Sequence, residues 1–225
     1  MKQKAQEFRK RFADYEWLLD VGIGFGWHWS ESERGSKILG LDISLENLKL
    51  ARRLLGDKHE SIVLICADAA SLPIRDHALS GLWSVQVFQH FPVKVLESSL
   101  CELHRVLKNE FCNEFCMEIH NLNPALLVRC VYHLFGKRFH CWGKTDQMDL
   151  NRLSPREWAS VWQLFRDGRH RVSYGYSELF FHPDLHLDPR SYPTKLELAL
   201  VKYAPALAAI CARQGHVRVE SFHEV

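Results

Sequence analysis

Asp20-Val21-Gly22-Ile23-Gly24-Phe25-Gly26 sets three alternating glycines directly behind an acid, at the end of the apolar run Glu16 to Val21 (EWLLDV). Glycines in such a turn let the backbone bend through conformations closed to residues with a Cβ, and let a ligand lie against the main chain. In an open parallel sheet a turn of this kind sits at the carboxyl edge, where ligands bind. Sixteen residues beyond Gly26, Asp42 closes the next apolar run, Lys37 to Asp42 (KILGLD). A carboxylate on the neighbouring strand's tip can accept both hydroxyls of a ribose, so the two features together predict a site for a nucleoside-containing cofactor. The glycine spacing narrows the choice. In the dinucleotide pattern G-x-G-x-x-G the last glycine lets helix pack on strand; counted from Gly22 that position is Trp27. A bulky indole there argues against NAD or FAD.

These residues need a scaffold of strands separated by helices, and the first two-thirds of the chain reads that way. After Lys37 to Asp42, Ser44 is placed to cap a helix that carries Leu48, Ala51 and Leu55 on one face. Ser61 to Cys66 (SIVLIC) is a continuous apolar run, expected to be a strand buried on both faces. Leu79 to Val87 is a fourth strand; Val93, Leu96, Leu100, Leu103 and Leu107 then mark an amphipathic helix, and Phe111 to Ile119 a fifth strand. The alternation predicts an α/β fold with a mostly parallel sheet. Beyond His120 the rhythm changes. Ser154, Pro155 and Glu157 form a strong helix start running to about Phe165. Arg169 to Tyr176 and His216 to Phe222 alternate as strands, around a helical stretch from about Thr194 to Arg213 interrupted at Pro205.

With 29 Lys and Arg against 27 Asp and Glu, the formal charge of the 225-residue chain is +2, which argues against a nucleic-acid footprint. The basic run Lys2, Lys4, Arg9, Lys10 and Arg11 reads as the wet side of a short helix. The opening residues lack the apolar segment of a secretory signal, and no apolar run reaches the roughly 18–20 residues that cross a bilayer. Seven irregularly spaced cysteines, with Cys66 and Cys116 in strand-like runs and Cys101 and Cys211 in helical ones, read as small hydrophobes in a reducing compartment. The expected location is the cytoplasm. Cys112, Cys116 and His120 share one strand and match no zinc-ligand spacing, so no metal is expected. The readings together describe a single domain over 1–225: a core at 16–120, a helical lid insertion at about 121–168, and the final two strands with their intervening helices at about 169–225.

LLDVGIGFG at the first strand, ILGLDISLENLKLAR at the second, CADAASLPIRDHALSGLWSVQVFQHF across the third and fourth, and ELHRVLK ahead of the fifth follow one another across residues 16–120. In that order and at those elements, they resemble the class I S-adenosylmethionine (SAM)-dependent methyltransferases. Within these, the likeness is to the small-molecule group that includes the ubiquinone/menaquinone-type C-methyltransferases (type 11). The resemblance implies a Rossmann-like, seven-stranded sheet whose last strand, His216 to Phe222, is antiparallel, and SAM as cofactor. It implies that Gly22, Gly24 and Gly26 cradle SAM with Asp20 near its methionine amino group. Asp42 would hold the ribose hydroxyls and Ile43 pack on the adenine. Asp68 would accept from the adenine amino group, Ala69 would donate its N–H to the ring, and Val85 and Gln86 would line the methionine side. Where the family often has Lys-Pro-Gly-Gly, this chain has Lys108-Asn109-Glu110-Phe111, and Trp27 and Trp29 beside the loop could narrow or cap the pocket.

The expected chemistry is methyl transfer to an O, N or C atom of a small or medium-sized acceptor, with the insertion as the lid. Because the displacement is in line, positioning does most of the work. A base matters only where the acceptor loses a proton. His90, just past the fourth strand, and His120, at the tip of the fifth, are the two candidates; His90 could instead cap the next helix or bond locally. Tyr132, His133, Phe135, Phe139, His140 and Trp142 could wall the acceptor or simply pack the insertion. Two other readings stand beside this one: an RNA or protein acceptor, separable by retention on a polyanion resin, and a catalytically silent binding module, separable by calorimetry with SAM.

Overall fold

The structure is a computed structural model and describes residues 2–30, 35–56, 61–118, 153–165, 170–177, 195–211 and 214–221. Its centre is a seven-stranded sheet of β1 (Trp17–Val21), β2 (Lys37–Asp42), β3 (Ile62–Cys66), β4 (Leu79–Val85), β5 (Leu107–Glu118), β6 (His170–Ser177) and β7 (Gln214–Ser221), in the order β3-β2-β1-β4-β5-β7-β6. The first five strands pair in parallel, and β7 runs antiparallel between β5 and β6. This is the Rossmann-like architecture expected from the sequence, with its reversed final strand. Val21, Asp42, Cys66 and Val85 end their strands at one edge, and the glycine turn, Asp42 and the segment after β4 converge there.

Alternation along the strands divides the apolar residues between two cores. On one face Leu19, Val21, Leu41, Leu82, Phe115, Val217 and Val219 pack against Leu96, Leu100 and Leu103 of α3 (Val93–Val106). Trp158, Trp162 and Phe165, from α4 (Pro155–Val161) and the turn after it, join this core. On the other face Leu18, Ile38, Ile62 and Trp83 meet Ala5 and Phe8 of α1 (Lys2–Arg9), Trp29, and Leu48, Ala51 and Leu55 of α2 (Leu45–Leu55). Two helix starts form as their sequences dictate. Ser44 accepts from the Asn47 amide, and Ser154 and Glu157 close a reciprocal capping box with Pro155 in the first turn. The late helical stretch divides into α5 (Lys195–Tyr203) and α6 (Pro205–Cys211), broken before Pro205 as expected.

Several expectations are corrected. β3 is the edge strand rather than one buried on both faces: Val63 and Cys66 are exposed, because the chain between β3 and β4 forms a loop and not a covering helix. Cys101 is exposed as well, while Cys116 is buried. Arg9 is not on the wet side of α1. It is buried, donating from Nε to Ser36 O at 2.9 Å and from Nη2 to Gly35 O and Ser61 Oγ at 3.1 and 2.6 Å, which ties α1 to the entries of β2 and β3. Lys108 to Phe111 makes no separate turn; β5 starts at Leu107, directly from α3. Residues 119–152, with His120 and the aromatic set of the expected lid, lie outside the described residues. The described end of that insertion packs into the core through Trp162, stacked on Phe115 with ring centroids 4.5 Å apart. Among the described residues no helix is long and apolar enough to cross a membrane.

Candidate functional site

The glycine turn is pinned to the strand beside it. Gly22 and Ile23 both donate their N–H to Leu41 O, at 2.8 and 2.9 Å, and Ser84 Oγ donates to Val21 O at 3.1 Å. Gly22, Gly24 and Gly26 all adopt positive φ, +70°, +55° and +69°, where L side chains are strained. Their surroundings differ. A Cβ on Gly22 would lie within 3.0 Å of both γ-methyls of Val87, whereas a Cβ on Gly24 would meet nothing within 4 Å. Gly22 is therefore required by packing, and Gly24 presents bare main chain to open space. That bare surface lies where the resemblance implies a cradle.

Asp42 stands beside it and is only 8% exposed. Its Oδ2 accepts from the Gly24 N–H at 2.9 Å, and its Oδ1 accepts from Ser44 N at 2.8 Å and Asn47 Nδ2 at 3.3 Å. An ionised carboxylate offers about four lone-pair sites, so one on Oδ2 stays free for a hydroxyl. Gripping two ribose hydroxyls requires displacing a partner, and the Asn47 amide at 3.3 Å is the weakest held. Ile43, next along, is 74% exposed and gives a flat apolar surface at the edge. Ala67 N donates to Asp42 O at 3.2 Å and draws the following loop alongside; in it Asp68 is exposed and Ala69 buried. Asp68 Oδ1 accepts from Ala70 N at 2.9 Å, a local turn that leaves Oδ2 available.

That loop is held from behind. Arg105 Nη2 and Nη1 donate to Leu72 O and Ile74 O at 3.1 and 2.9 Å, and Glu102 Oε2 accepts from Leu72 N at 2.9 Å while pairing with Arg105. The hydrogen bond from Arg105, with the one from the Leu72 amide, pulls the Glu102 carboxyl down to about 2. This clamp was not expected from the sequence, although it lies within the quoted ELHRVLK run.

Val85 ends β4, half-buried, and Gln86 follows at φ +60°, one of two non-glycine residues with positive φ among those described. Such strain persists where the surroundings over-determine it. Here the Gln86 N–H donates to Cys116 O at 2.7 Å and its Oε1 accepts from Gln89 Nε2 at 2.5 Å. His90 ends the next short turn. Its ring does not cap α3, whose N-cap is Pro92, and its Nδ1 is buried with no hydrogen-bond partner among the described residues.

Asp20 is placed otherwise than as an open cofactor contact. It is 1% exposed, and its Oδ2 accepts from His28 Nε2 and Trp29 Nε1, both at 2.7 Å. Trp29 is thus core, while Trp27 is half exposed. The signal for this was present in the ring N–H groups of Trp27-His28-Trp29 close behind an acid, but nothing in the spacing says which ring turns inward.

A cavity of about 300 Å³ opens between α1 and the face of β4, β5, β7 and β6, reaching Val85 and Cys116 at the strand ends. Lys4, Arg11 and Arg218 line it against Glu7 and Glu114. Glu114 is already held by Arg11 and Arg218, at 2.8 and 2.5 Å. His216 forms part of the wall, and burial, aided by Lys4, pushes its pKa down to about 4.

Residues 19–110 match the family described as "Methyltransferase domain". The malonyl-[acyl-carrier protein] O-methyltransferase of Gallionella capsiferriformans is 31% identical over 103 residues, covering 41% of this chain and 34% of that protein. The enzyme of the same name from Hamiltonella defensa is 32% identical over 96 residues, with the same coverage. The chain spans about a third of the length of these curated relatives. Among solved structures, geranyl diphosphate C-methyltransferase from Streptomyces coelicolor, in complex with Mg2+, geranyl diphosphate and S-adenosyl-L-homocysteine (SAH), superposes with a TM-score of 0.63 at 14% identity, covering 98% of this chain and 76% of that one. The [4+2]-cyclase SpnF gives 0.62 at 17%, covering 98% and 79%. A SAM-dependent methyltransferase from Archaeoglobus fulgidus gives 0.58 at 14%, covering 98% and 95%. At these identities the structures speak for the fold alone. Over residues 19–110 the chain is thus similar to the methyltransferase domain, and its sheet is that of the solved methyltransferase structures.

Proposed function

We propose that this chain transfers the methyl group of SAM to an O, N or C atom of a small or medium-sized acceptor bearing an anionic group. The observation that carries the cofactor reading is the open face of Gly24, hydrogen-bonded to the carboxylate of Asp42. A nucleoside lies on such a surface with its ribose against the acid, its adenine on Ile43 and its amino group toward Asp68, while Ala69, Val85 and Gln86 complete the wall. SAM supplies an electrophilic methyl group, so this chain's work is to orient the acceptor and exclude water. His90 is the described residue available to take a proton where the acceptor has one to lose; His120 is the second candidate.

The acceptor reading rests on the cavity beside Val85 and Cys116, lined by Lys4 and by Arg11 and Arg218, the two arginines being paired with Glu114 and Glu220. It is in keeping with the relatives, whose names give a malonyl group and a geranyl diphosphate as acceptors. Calorimetry with SAH tests the first part. The wild type binds, and Asp42→Ala weakens binding roughly 10- to 150-fold, the loss of one hydrogen bond to a charged acceptor at about 1.5–3 kcal/mol. No heat at millimolar SAH would leave the chain as a silent binding module. Methyl transfer from SAM to a malonyl thioester or geranyl diphosphate tests the second, with Lys4→Gln raising KM more than it lowers kcat.

A further inference from the structure

Strand register places two rows of side chains on the wall of the cavity beneath α1. Val85, Cys116, His216 and Gly175 stand side by side on β4, β5, β7 and β6, and Trp83, Glu114, Arg218 and Ser173 form the row beside them. Charge separates the two. In the second row Glu114 Oε1 accepts from Arg218 Nε at 2.8 Å and pairs with Arg11 at 2.8 Å, while Glu220 lies 3.5 Å from Arg218. Those charges are already matched. The first row holds no carboxylate, and His216 is its one imidazole, half-buried between a thiol and a glycine. A Cβ on Gly175 would meet only the Cβ of His216, at 3.6 Å, so the place beside the ring is unfilled. Across the cavity α1 and the turn after it present Lys4, Glu7 and Arg11. Glu7 accepts from Gln3 Nε2 at 3.0 Å, and Lys4 is the lining cation without a carboxylate partner among the described residues. Burial, and after it Lys4, pushes the His216 pKa down to about 4. At neutral pH the first row therefore offers an uncharged imidazole near an ammonium.

We propose that Lys4 and His216 together bind one carboxylate of the acceptor, at the Val85 end of the cavity. The assignment deepens the proposed methyl transfer and rests on it. A carboxylate in the second row would meet Glu114, whereas the first row has no acid. A diphosphate would bring more charge than one ammonium and one imidazolium match, and would face Glu7 and Glu114. A cavity of about 300 Å³ is at the small end of ligand sites, as suits a short acid. An anion beside an imidazole favours its charged form, so His216 takes up a proton from solvent as the acid binds. Transfer forms the carboxylate oxygen–methyl bond and breaks the sulfur–methyl bond, whose electron pair stays on sulfur. The ester is uncharged, so the imidazolium near Lys4 returns its proton to solvent and the hold on the product is lost.

The test is calorimetry, with and without saturating SAH, using monomethyl malonate, which has one carboxylate, and dimethyl malonate, which has none. At about pH 5.5, between the His216 value in the folded chain and its ordinary 6.5, buffers of different ionisation enthalpy report uptake of close to one proton with the acid. The affinity for the acid falls as pH rises, by up to roughly tenfold per unit, and the diester binds far more weakly. His216→Gln abolishes the uptake and Lys4→Gln weakens the acid severalfold, with thermal unfolding to check that both variants fold; should His216→Gln not fold, the wild-type proton count and Lys4→Gln decide. Equal binding of acid and diester, binding without proton uptake, uptake that survives His216→Gln, or pyrophosphate held more tightly than the acid each overturns the assignment. So does protein that binds SAH but not millimolar acid. Protein that takes up acid and proton but not SAH keeps this carboxylate site and loses the methyl-transfer reading, and protein that binds neither loses both.

Discussion

Gly22 and Gly24 share a motif and a backbone conformation, yet an added methyl group should act differently at each. Alanine in the left-handed region costs about 1–2 kcal/mol, and both variants carry that cost, because φ is +70° at Gly22 and +55° at Gly24. Gly22→Ala also drives its methyl into the γ-methyls of Val87, and overpacking of this kind adds roughly 1–3 kcal/mol. For a chain of this size each kcal/mol moves Tm by about 2–4 °C. Gly24→Ala should therefore lose about 2–8 °C, and Gly22→Ala roughly 4–20 °C. Binding should reverse the order. At Gly24 the methyl meets no protein atom within 4 Å and would occupy the surface proposed for the cofactor, so SAH affinity should fall roughly 10- to 150-fold. Folded Gly22→Ala should retain SAH affinity within a few-fold. Differential scanning fluorimetry and calorimetry on the two proteins decide the matter. If Gly24→Ala binds SAH as the wild type does, the open face at Gly24 is not the cofactor surface and the placement argued from it is wrong.

Two pH windows and one clamp supply the remaining predictions. The unfolded chain protonates His216 near pH 6.5, while the folded chain resists until about 4. The unfolded state therefore binds more protons between those values, and stability falls on acidification through them, by about 3 kcal/mol in all, and is unaffected above them. His216→Gln should flatten the dependence of Tm on pH across that window. Glu102 is the opposite case, a carboxyl whose pKa is depressed from 4.5 to about 2. Its contribution is complete above pH 4.5 and disappears as pH falls through about 2, so Glu102→Gln should lose stability at neutral pH and regain parity with the wild type in strong acid. Arg105→Lys cannot reproduce the forked bonds to Leu72 O and Ile74 O. It should release the Asp68 loop and weaken SAH and methylthioadenosine alike, severalfold, by calorimetry.

What could be read in the sequence was what depends on local spacing. The turn from Gly22 to Gly26, the strand tip at Asp42 and the cap at Ser154 each need only neighbours in the chain, and each is where the pattern placed it. Burial that depends on distant partners was not legible. SIVLIC looks doubly buried as a string of side chains, but its exposure is decided by whether the chain after it builds a helix, and it does not. Arg9 reads as solvated until Gly35, Ser36 and Ser61, remote in sequence, supply its acceptors. The same holds at the site. Asp20 belongs to the recognised motif, but its pairing with Trp29 follows from which ring the short turn folds inward. The Glu102–Arg105 clamp follows from where a loop thirty residues upstream comes to rest.

A sheet of this topology does not fix the reaction, since a [4+2]-cyclase shares it with methyltransferases. The discriminating features are side chains and bare main chain at one edge. Asp42 and Ile43 lie on β2 and its exit, whereas Asp20 and Gln86 lie on β1 and just past β4, so the proposed placement would give the two ends of an adenosyl amino acid to different elements. On that placement the variants should separate along the same line, Arg105→Lys acting through the adenosine end and Gly24→Ala on both ends. A ligand series that failed to divide in this way would require the cofactor to lie across the edge in another direction, even with the fold unchanged.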